Sequence, residues 1–213
     1  MSEGARIEAV ISDFGGVLTS PMLDSFAAFQ DSSGISLEQL GTAMGKLWGR
    51  HGANPLFELE KGRMSEARFL ELLSEQLTTQ LGHKVELQRF GERYFKNLHP
   101  NERMIDYMRQ LRDRDLRLAI CTNNVREWER FWRAKLPVDE IFDVVVDSAF
   151  VGARKPEPRI YELTLERLAV PPRSALLIDD IELNCEAARE LGIEAIWFRS
   201  TEQAIADIEA RLA

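Results

Sequence analysis

The segment that decides the fold reads VISDFGGVL, at residues 10–18. An apolar run leads directly into one carboxylate, Asp13, and then into two glycines. The run predicts a buried strand, and ligands of α/β proteins bind beyond the carboxyl ends of such strands. Glycines at this point let the backbone turn sharply and approach a bound group closely. The second residue after Asp13 is Gly15, so the place where a second carboxylate would be useful has no side chain.

Strands and helices alternate through the second half of the chain. Short apolar runs predict five strands, at 7–11, 116–121, 142–146, 175–178 and 194–198. Helical stretches are predicted at about 125–134, 157–169, 183–191 and 202–212. This alternation indicates an α/β protein with a doubly wound parallel sheet. Right-handed crossovers would place the strand exits on one edge of that sheet.

Residues 20–98 break the alternation, because they contain amphipathic helical stretches and no convincing strand. One such helix is predicted to begin after Ser65 as its N-cap and to bury Phe69, Leu72, Leu73 and Leu77. We therefore predict a helical cap domain at 20–98, inserted after the first strand and lying over the same sheet edge. Residues 1–19 and 99–213 would then form the α/β core.

Composition and charge limit the class of protein and its partners. The 213 residues are 45% hydrophobic and 29% charged, which is typical of a soluble globular protein. A net charge of −8 argues against a broad surface for nucleic acid or anionic membrane, and no apolar run approaches membrane length. Cys121 and Cys185 lie in unrelated segments, and no secretory leader precedes the first strand. We expect a cytoplasmic monomer or small homo-oligomer.

Several chemically useful side chains fall at the predicted strand exits or in a turn beside them: Asp13, Thr122, Lys155, Asp179 and Asp180. Carboxylates at close range repel one another unless a cation lies among them, and all-oxygen ligation suits Mg²⁺ together with a phosphate. A lysine and a hydroxyl suit phosphoryl oxygens, and one carboxylate in line with phosphorus could form an aspartyl-phosphate. Each residue also has a structural explanation as a helix cap, a turn residue or a surface lysine. Their joint occurrence favours catalysis or phosphate binding.

Four segments carry a family resemblance. DFGGV at 13–17, CTN at 121–123, RKPE at 154–157 and IDD at 178–180 resemble, in the same order, the four motifs of the haloacid dehalogenase-like hydrolases. The resemblance covers nearly the whole chain, since the helical insert falls where that family carries its type-1 cap. Within the family, 154–161 and 178–188 are most similar to bacterial glucose-1-phosphate-type sugar phosphatases, which also have a glycine at the position of Gly15.

The resemblance implies a set of magnesium ligands. Asp13 would be both the nucleophile and a ligand of Mg²⁺. The main-chain carbonyl of Gly15 would be a second ligand, which does not depend on a side chain. Asp180 would complete the metal site, with Asp179 beside it as a ligand or as a carboxylate in contact with the ligands.

The resemblance also implies how a phosphorylated substrate would be held. Thr122 and the backbone N–H of Asn123 would bind phosphate oxygens. Lys155 would neutralise charge between Asp13 and the phosphoryl group. Asn184, on the helix that follows Asp180, would steady the loop.

Gly15 is the one departure from the family pattern, because most phosphatases of this family have an aspartate there as acid and base. Such acid–base help contributes about 10²–10⁴-fold in rate. Without it we expect a slow phosphatase that prefers good leaving groups and accumulates its aspartyl-phosphate. Residues 48–55, WGRHGANP, read as a turn-rich loop in which His51 could replace the base. In the simpler interpretation, His51 is a solvent-exposed loop residue and Trp48 packs between cap helices.

Three functions remain open from the sequence. The first is a Mg²⁺-dependent phosphatase acting on a small phosphorylated metabolite, such as a sugar phosphate. The second is a metal-independent 2-haloacid dehalogenase with Asp13 attacking carbon, although a metal-free site has no need of both Asp179 and Asp180. The third is a non-catalytic, regulatory phosphate-binding protein, which Gly15 makes plausible.

Overall fold

The computed structural model describes residues 6–21, 30, 34–51, 54–87 and 89–213. Its five strands are β1 (Ala9–Ser12), β2 (Arg117–Thr122), β3 (Val144–Asp147), β4 (Ala175–Asp179) and β5 (Glu194–Trp197). They form one parallel sheet in the order β3-β2-β1-β4-β5. The predicted doubly wound sheet is confirmed, and the strand bounds differ from the prediction by two residues at most.

The helices are named in chain order for the described residues. Those between β1 and β2 are α1 (Leu37–His51), α2 (Pro55–Glu60), α3 (Glu66–Leu81), α4 (Phe90–Lys96) and α5 (Glu102–Arg112). Those after β2 are α6 (Glu129–Arg133), α7 (Val138–Ile141), α8 (Ser148–Val151), α9 (Pro158–Leu168), α10 (Glu182–Glu190) and α11 (Thr201–Leu212). Short 3₁₀ turns lie at Arg126–Trp128 and Pro172–Ser174.

Helices cover both faces of the sheet, which is why every residue of β1 and β4 is buried. Helices α9 and α10 pack on one face, and α5 and α11 pack on the other. The chain runs outward from β1 to β3 and then returns to place β4 against the free side of β1. The strand order therefore reverses between β1 and β4, and the crevice beyond this point is where such sheets bind ligands.

The segment between β1 and α5 is helical where it is described. As predicted, Ser65 caps α3, its hydroxyl accepting a hydrogen bond from the backbone N–H of Arg68 at 3.3 Å, and the four apolar residues of that helix are buried. The backbone N–H of Ser20 donates to His99 at 2.7 Å, beside a bridge between Thr19 and Pro100. The chain thus leaves the core and returns to it at neighbouring points. The cap boundaries at 20 and 98 stay a prediction.

The predicted loop at 48–55 is wrong in its first half, because α1 continues to His51. Leu40, Ala43 and Leu47 repeat at helical spacing and are buried, and a glycine inside a helix costs only about 1 kcal/mol. Trp48 is 54% exposed and meets Phe57 with ring centroids 6.4 Å apart, so it is not enclosed between helices. The side chain of His51 lies outside the described residues. None of the described helices is both long and apolar enough to cross a bilayer.

Asp147, at the end of β3, is a buried carboxylate at the edge of the sheet. Its Oδ1 accepts from the backbone N–H of Ala149 at 3.0 Å, whereas its Oδ2 is buried with no hydrogen-bond partner among the described residues. Burial raises the pKa of Asp147 to about 6, and the hydrogen bond from Ala149 only partly opposes this. The folded chain therefore holds a proton on Asp147 between about pH 4 and pH 6 that the unfolded chain releases.

We predict that Asp147→Asn makes the free energy of unfolding less sensitive to rising pH. As pH rises from 4 to 7, the wild type must ionise a buried carboxyl and loses up to about 3 kcal/mol in free energy of unfolding, a cost that the amide avoids. Relative to wild type, the variant should gain stability over this window. Urea unfolding of both proteins at several pH values measures the difference, and a difference that stays constant with pH would contradict the prediction.

Candidate active site

Three carboxylates meet where the strand order reverses. Asp13 follows β1, Asp179 ends β4, and Asp180 comes next along the chain. The backbone N–H of Asp13 donates to Ile178 at 2.9 Å, which continues the pairing of β1 with β4 and fixes the two exits side by side. One carboxylate oxygen from each of the three residues lies within 4.8 Å of the others.

Lys155 lies between two of these carboxylates and is only 1% exposed. Its Nζ is 2.9 Å from Asp13 Oδ1 and 2.6 Å from Asp179 Oδ2. Burial alone would lower the pKa of Lys155, but the two carboxylates raise it well above its ordinary value. Lys155 is therefore a permanent cation, and a buried cation persists only with such partners.

Asn123 holds the backbone of Lys155 in place. Its Nδ2 donates to the carbonyl of Lys155 at 2.9 Å, and its Oδ1 accepts from the backbone N–H of the same residue at 2.8 Å. This reciprocal pair ties the exit of β2 to the loop before α9. The side chain of Asn123 thus positions the lysine, and its backbone N–H as a phosphate donor stays a prediction.

Asp179 and the other two carboxylates differ in how many donors they meet. Asp179 Oδ2 accepts from Lys155, and its Oδ1 accepts from the backbone N–H of Ile181 and from Asn184 Nδ2, both at 2.9 Å. Asp13 Oδ1 accepts from Lys155 and from the N–H of Phe14, and no described residue donates to its Oδ2. Asp13 therefore has an oxygen available for a ligand, while the hydrogen bonds of Asp179 position Lys155 and the loop before α10.

The cluster carries excess negative charge. Three carboxylates against one ammonium group leave two negative charges when all are ionised. Burial raises the pKa of Asp13 to about 7, with Lys155 opposing it and Asp179 and Asp180 adding to it. Burial and then Asp179 raise the pKa of Asp180 to about 6. A hard divalent cation would relieve this repulsion, and an all-oxygen donor set fits Mg²⁺.

Gly16 is required by both backbone and space. Its φ of +77° lies in the left-handed region, and a Cβ at this residue would be 2.2 Å from Asp180 Oδ2. The sequence predicted that a glycine here lets a bound group approach the backbone closely. In the structure the group that approaches Gly16 is the Asp180 carboxylate, which packs on its backbone.

A cavity of about 130 Å³ opens beside this cluster. Its polar lining includes Asp13, Asn123, Lys155 and Asn184, and Gly15 also borders it. Aromatic rings form much of the remaining lining, from Phe14, Tyr94, Phe95 and Trp128. Thr122 is buried at the end of β2 and is not among the lining residues, so its contact with phosphate stays a prediction.

Sequence reasoning missed the aromatic part of this lining. Trp128 falls in the helical stretch predicted at about 125–134, and its spacing there gives no sign of a place at the site. It lies partly buried against Tyr94 of α4, with centroids 5.7 Å apart, and its Nε1 donates to Glu66 at 2.7 Å. Gly91 makes room for it, because a Cβ there would be 2.3 Å from that nitrogen. No spacing in the sequence signals this contact between distant segments.

Glu60 and Arg154 also border the cavity, and neither was singled out from the sequence. Arg154 directly precedes Lys155 in the RKPE segment, and this adjacency is the sequence feature that could have placed it at the site. Glu60 ends α2 in a charged stretch with no distinguishing pattern.

A family model described as haloacid dehalogenase-like hydrolase matches residues 7–192. The chain belongs to this family. It is 33% identical over 195 residues to a phosphatase of Mycobacterium tuberculosis, a match that covers 89% of this chain and 86% of that protein. It is also 32% identical over 219 residues to acyl-CoA dehydrogenase family member 10 of the mouse, covering 99% of this chain but only 20% of the mouse protein.

The fold agrees with solved structures of the family. A HAD family enzyme of Bacteroides thetaiotaomicron, solved as a magnesium complex, superposes with a TM-score of 0.71. The match covers 97% of this chain and 99% of that one at 21% identity. At this identity the likeness establishes the fold alone, and the particular resemblance to sugar phosphatases stays a prediction.

We predict that Gly16→Ala abolishes stabilisation by Mg²⁺, because the new Cβ displaces the Asp180 carboxylate. Gly152→Ala is the matched control, since Gly152 has a φ of +72° but no atom within 4 Å of its Cβ position. Both variants should lose about 1 kcal/mol of stability for the left-handed backbone. Thermal unfolding with and without Mg²⁺ should show an upward shift for wild type and Gly152→Ala, and none for Gly16→Ala. Equal shifts in all three would contradict the role of Gly16.

Proposed function

We propose that the protein is a Mg²⁺-dependent phosphatase that hydrolyses a small phosphorylated metabolite, such as a sugar phosphate, through an aspartyl-phosphate on Asp13. The observation that carries this proposal is Lys155, buried between Asp13 and Asp179 beside the oxygens of Asp180. A fixed cation next to a carboxylate with an available oxygen favours attack on an anionic phosphoryl group. The phosphatase named among the relatives supports the same conclusion.

In this reaction Asp13 Oδ2 attacks phosphorus while Oδ1 stays bound to Lys155 and the N–H of Phe14. Lys155 neutralises charge between the nucleophile and the phosphoryl oxygens. Asp13, the carbonyl of Gly15 and Asp180 would hold Mg²⁺, with Asp179 beside them. Mg²⁺, when bound, neutralises further charge on the phosphoryl group.

The cavity argues for a small substrate. Its volume of about 130 Å³ lies below the roughly 300–1,000 Å³ of sites for drug-sized ligands. Its aromatic lining suits the apolar face of a compact leaving group, and the lined cavity has no room for a nucleic-acid duplex. The identity of the metabolite would be set by this lining.

The direct test is hydrolysis of p-nitrophenyl phosphate with and without Mg²⁺. We expect turnover only with the metal, and a loss of ~10³-fold or more in Asp13→Asn, because an amide does not form the acyl phosphate. Asp147→Asn makes the same chemical change at another strand end and should retain activity. Both variants are first checked for cooperative unfolding.

Other outcomes would replace the proposal. Halide release from 2-haloacids without metal would establish a dehalogenase instead. Tight phosphate binding with no turnover of any phosphomonoester at high protein concentration would establish a non-catalytic phosphate-binding protein.

A further inference from the structure

Glu60 faces the candidate active site from the helical segment opposite the sheet edge. Among the described residues that line the cavity, the two carboxylates are Asp13 and Glu60. Gly15, which leaves the second position after Asp13 without a side chain, borders the same cavity. The cavity thus contains a second carboxylate, although it comes from a different part of the chain.

One oxygen of Glu60 is anchored and the other is available. Oε2 lies 2.5 Å from Arg154 Nε, and no described residue donates a hydrogen bond to Oε1. The Arg154 guanidinium itself lies 3.9 Å from the ring centre of Phe57, one turn earlier in α2. Glu60 is 17% exposed, so its carboxylate is held at the cavity and still reaches it.

The residues that follow Glu60 fix it against the core. Lys61 Nζ is 2.9 Å from Glu157, next to the loop that carries Lys155. Gly62 has a φ of +64°, and a Cβ there would be 2.2 Å from the carbonyl oxygen of Ala149. Such close backbone contact makes Glu60 a preorganised group rather than one on a mobile arm.

The surroundings also suit proton exchange. Burial raises the pKa of Glu60, and the charged groups that oppose this are Arg154 first and then Lys155 and Lys61. A carboxyl with a raised pKa donates a proton near neutral pH more readily than an exposed one and takes it back.

We propose that Glu60 is the acid and base of the reaction, in place of the side chain that Gly15 lacks. In the first step, as the Asp13 oxygen bonds to phosphorus, the bond from phosphorus to the leaving oxygen breaks and the Glu60 carboxyl gives that oxygen its proton. In the second step, water attacks phosphorus, the bond to Asp13 breaks with its electron pair returning to the carboxylate, and Glu60 takes the proton of the water. Inorganic phosphate leaves, and both residues regain their starting forms.

This inference rests on the proposed phosphatase reaction, so wild type is measured first. Wild type must hydrolyse phosphomonoesters with Mg²⁺ and must form a label on Asp13 that Asp13→Asn abolishes. If it does neither, the proposed function fails and Glu60 is not the cause. If it does both, the comparison of Glu60→Gln with wild type tests the acid–base role by itself.

Rapid quench of Glu60→Gln with two labelled substrates separates the two steps. With p-nitrophenyl phosphate the leaving oxygen needs no proton, so the first step should persist while the second slows by ~10²-fold or more. Labelled protein should then approach one phosphoryl group per chain, above the wild-type level. With an alkyl phosphate, such as glycerol phosphate, the first step should also slow, and label should not accumulate.

Lys61→Gln is the matched control, because it removes the neighbouring ion pair to Glu157 and leaves the Glu60 carboxylate in place. It should affect both substrates alike and should not raise the level of labelled protein. A third variant, Glu60→Ala, tests the carboxyl group itself. Added formate should raise its turnover, because a small carboxylic acid can replace the missing carboxyl group. Formate should not change the turnover of Lys61→Gln, which keeps Glu60. The limb of the pH–rate profile that depends on Glu60 should be absent in Glu60→Gln.

Three results would overturn the proposal. The first is a raised KM with unchanged kcat in Glu60→Gln, which would make Glu60 a substrate contact. The second is an equal loss of rate for aryl and alkyl phosphates without accumulation of label. The third is that Lys61→Gln reproduces every effect of Glu60→Gln, which would mean that Glu60 only maintains the structure around the cavity.

Discussion

The site depends on one buried ammonium group held between two carboxylates. Lys155 pairs with Asp13 and Asp179 beyond the carboxyl ends of β1 and β4, the neighbouring strands between which the strand order reverses. Breaking a buried ion pair by removing one partner costs about 3–5 kcal/mol, because the remaining charge is left uncompensated. Substitution of Lys155 is therefore expected to destabilise the fold, and neighbouring polar groups hold the lysine in position. Asn123 fixes its backbone, and Asn184 fixes the carboxylate of Asp179.

The same ion pairs divide the three carboxylates into different tasks. Both oxygens of Asp179 accept hydrogen bonds, and these bonds position Lys155 and the loop before α10. Asp13 keeps one oxygen without a donor among the described residues, and Asp180 rests on the bare backbone of Gly16. One lysine does not balance three carboxylates, and this imbalance is what makes a divalent cation and an anionic substrate suitable ligands. In the proposed reaction, the nucleophile follows β1, while the carboxylate that positions Lys155 ends the neighbouring strand β4.

The sequence predicted what depends on local pattern. Apolar runs identified five strands, and the residues at their ends identified the edge at which Asp13, Lys155 and Asp180 meet, because parallel strands exit together. Ser65 marked the start of α3 because an N-cap is a local hydrogen bond. What the sequence did not predict depends on contacts between distant segments. The ring of Trp128 against Tyr94 and the pairing of Glu60 with Arg154 are set by tertiary packing, which leaves no periodic signal.

Gly15 and Glu60 together suggest why the helical segment matters for more than substrate choice. An acid–base group two residues after Asp13 would be fixed directly to the end of β1. A group at the end of α2 is in place only while Arg154, Phe57 and the Gly62 backbone hold α2 against the core. In the proposed reaction, proton transfer therefore depends on these contacts between α2 and the core. Because Gly15 has no side chain, the proposed dephosphorylation needs Glu60, and the position of Glu60 depends on the contact between α2 and the core.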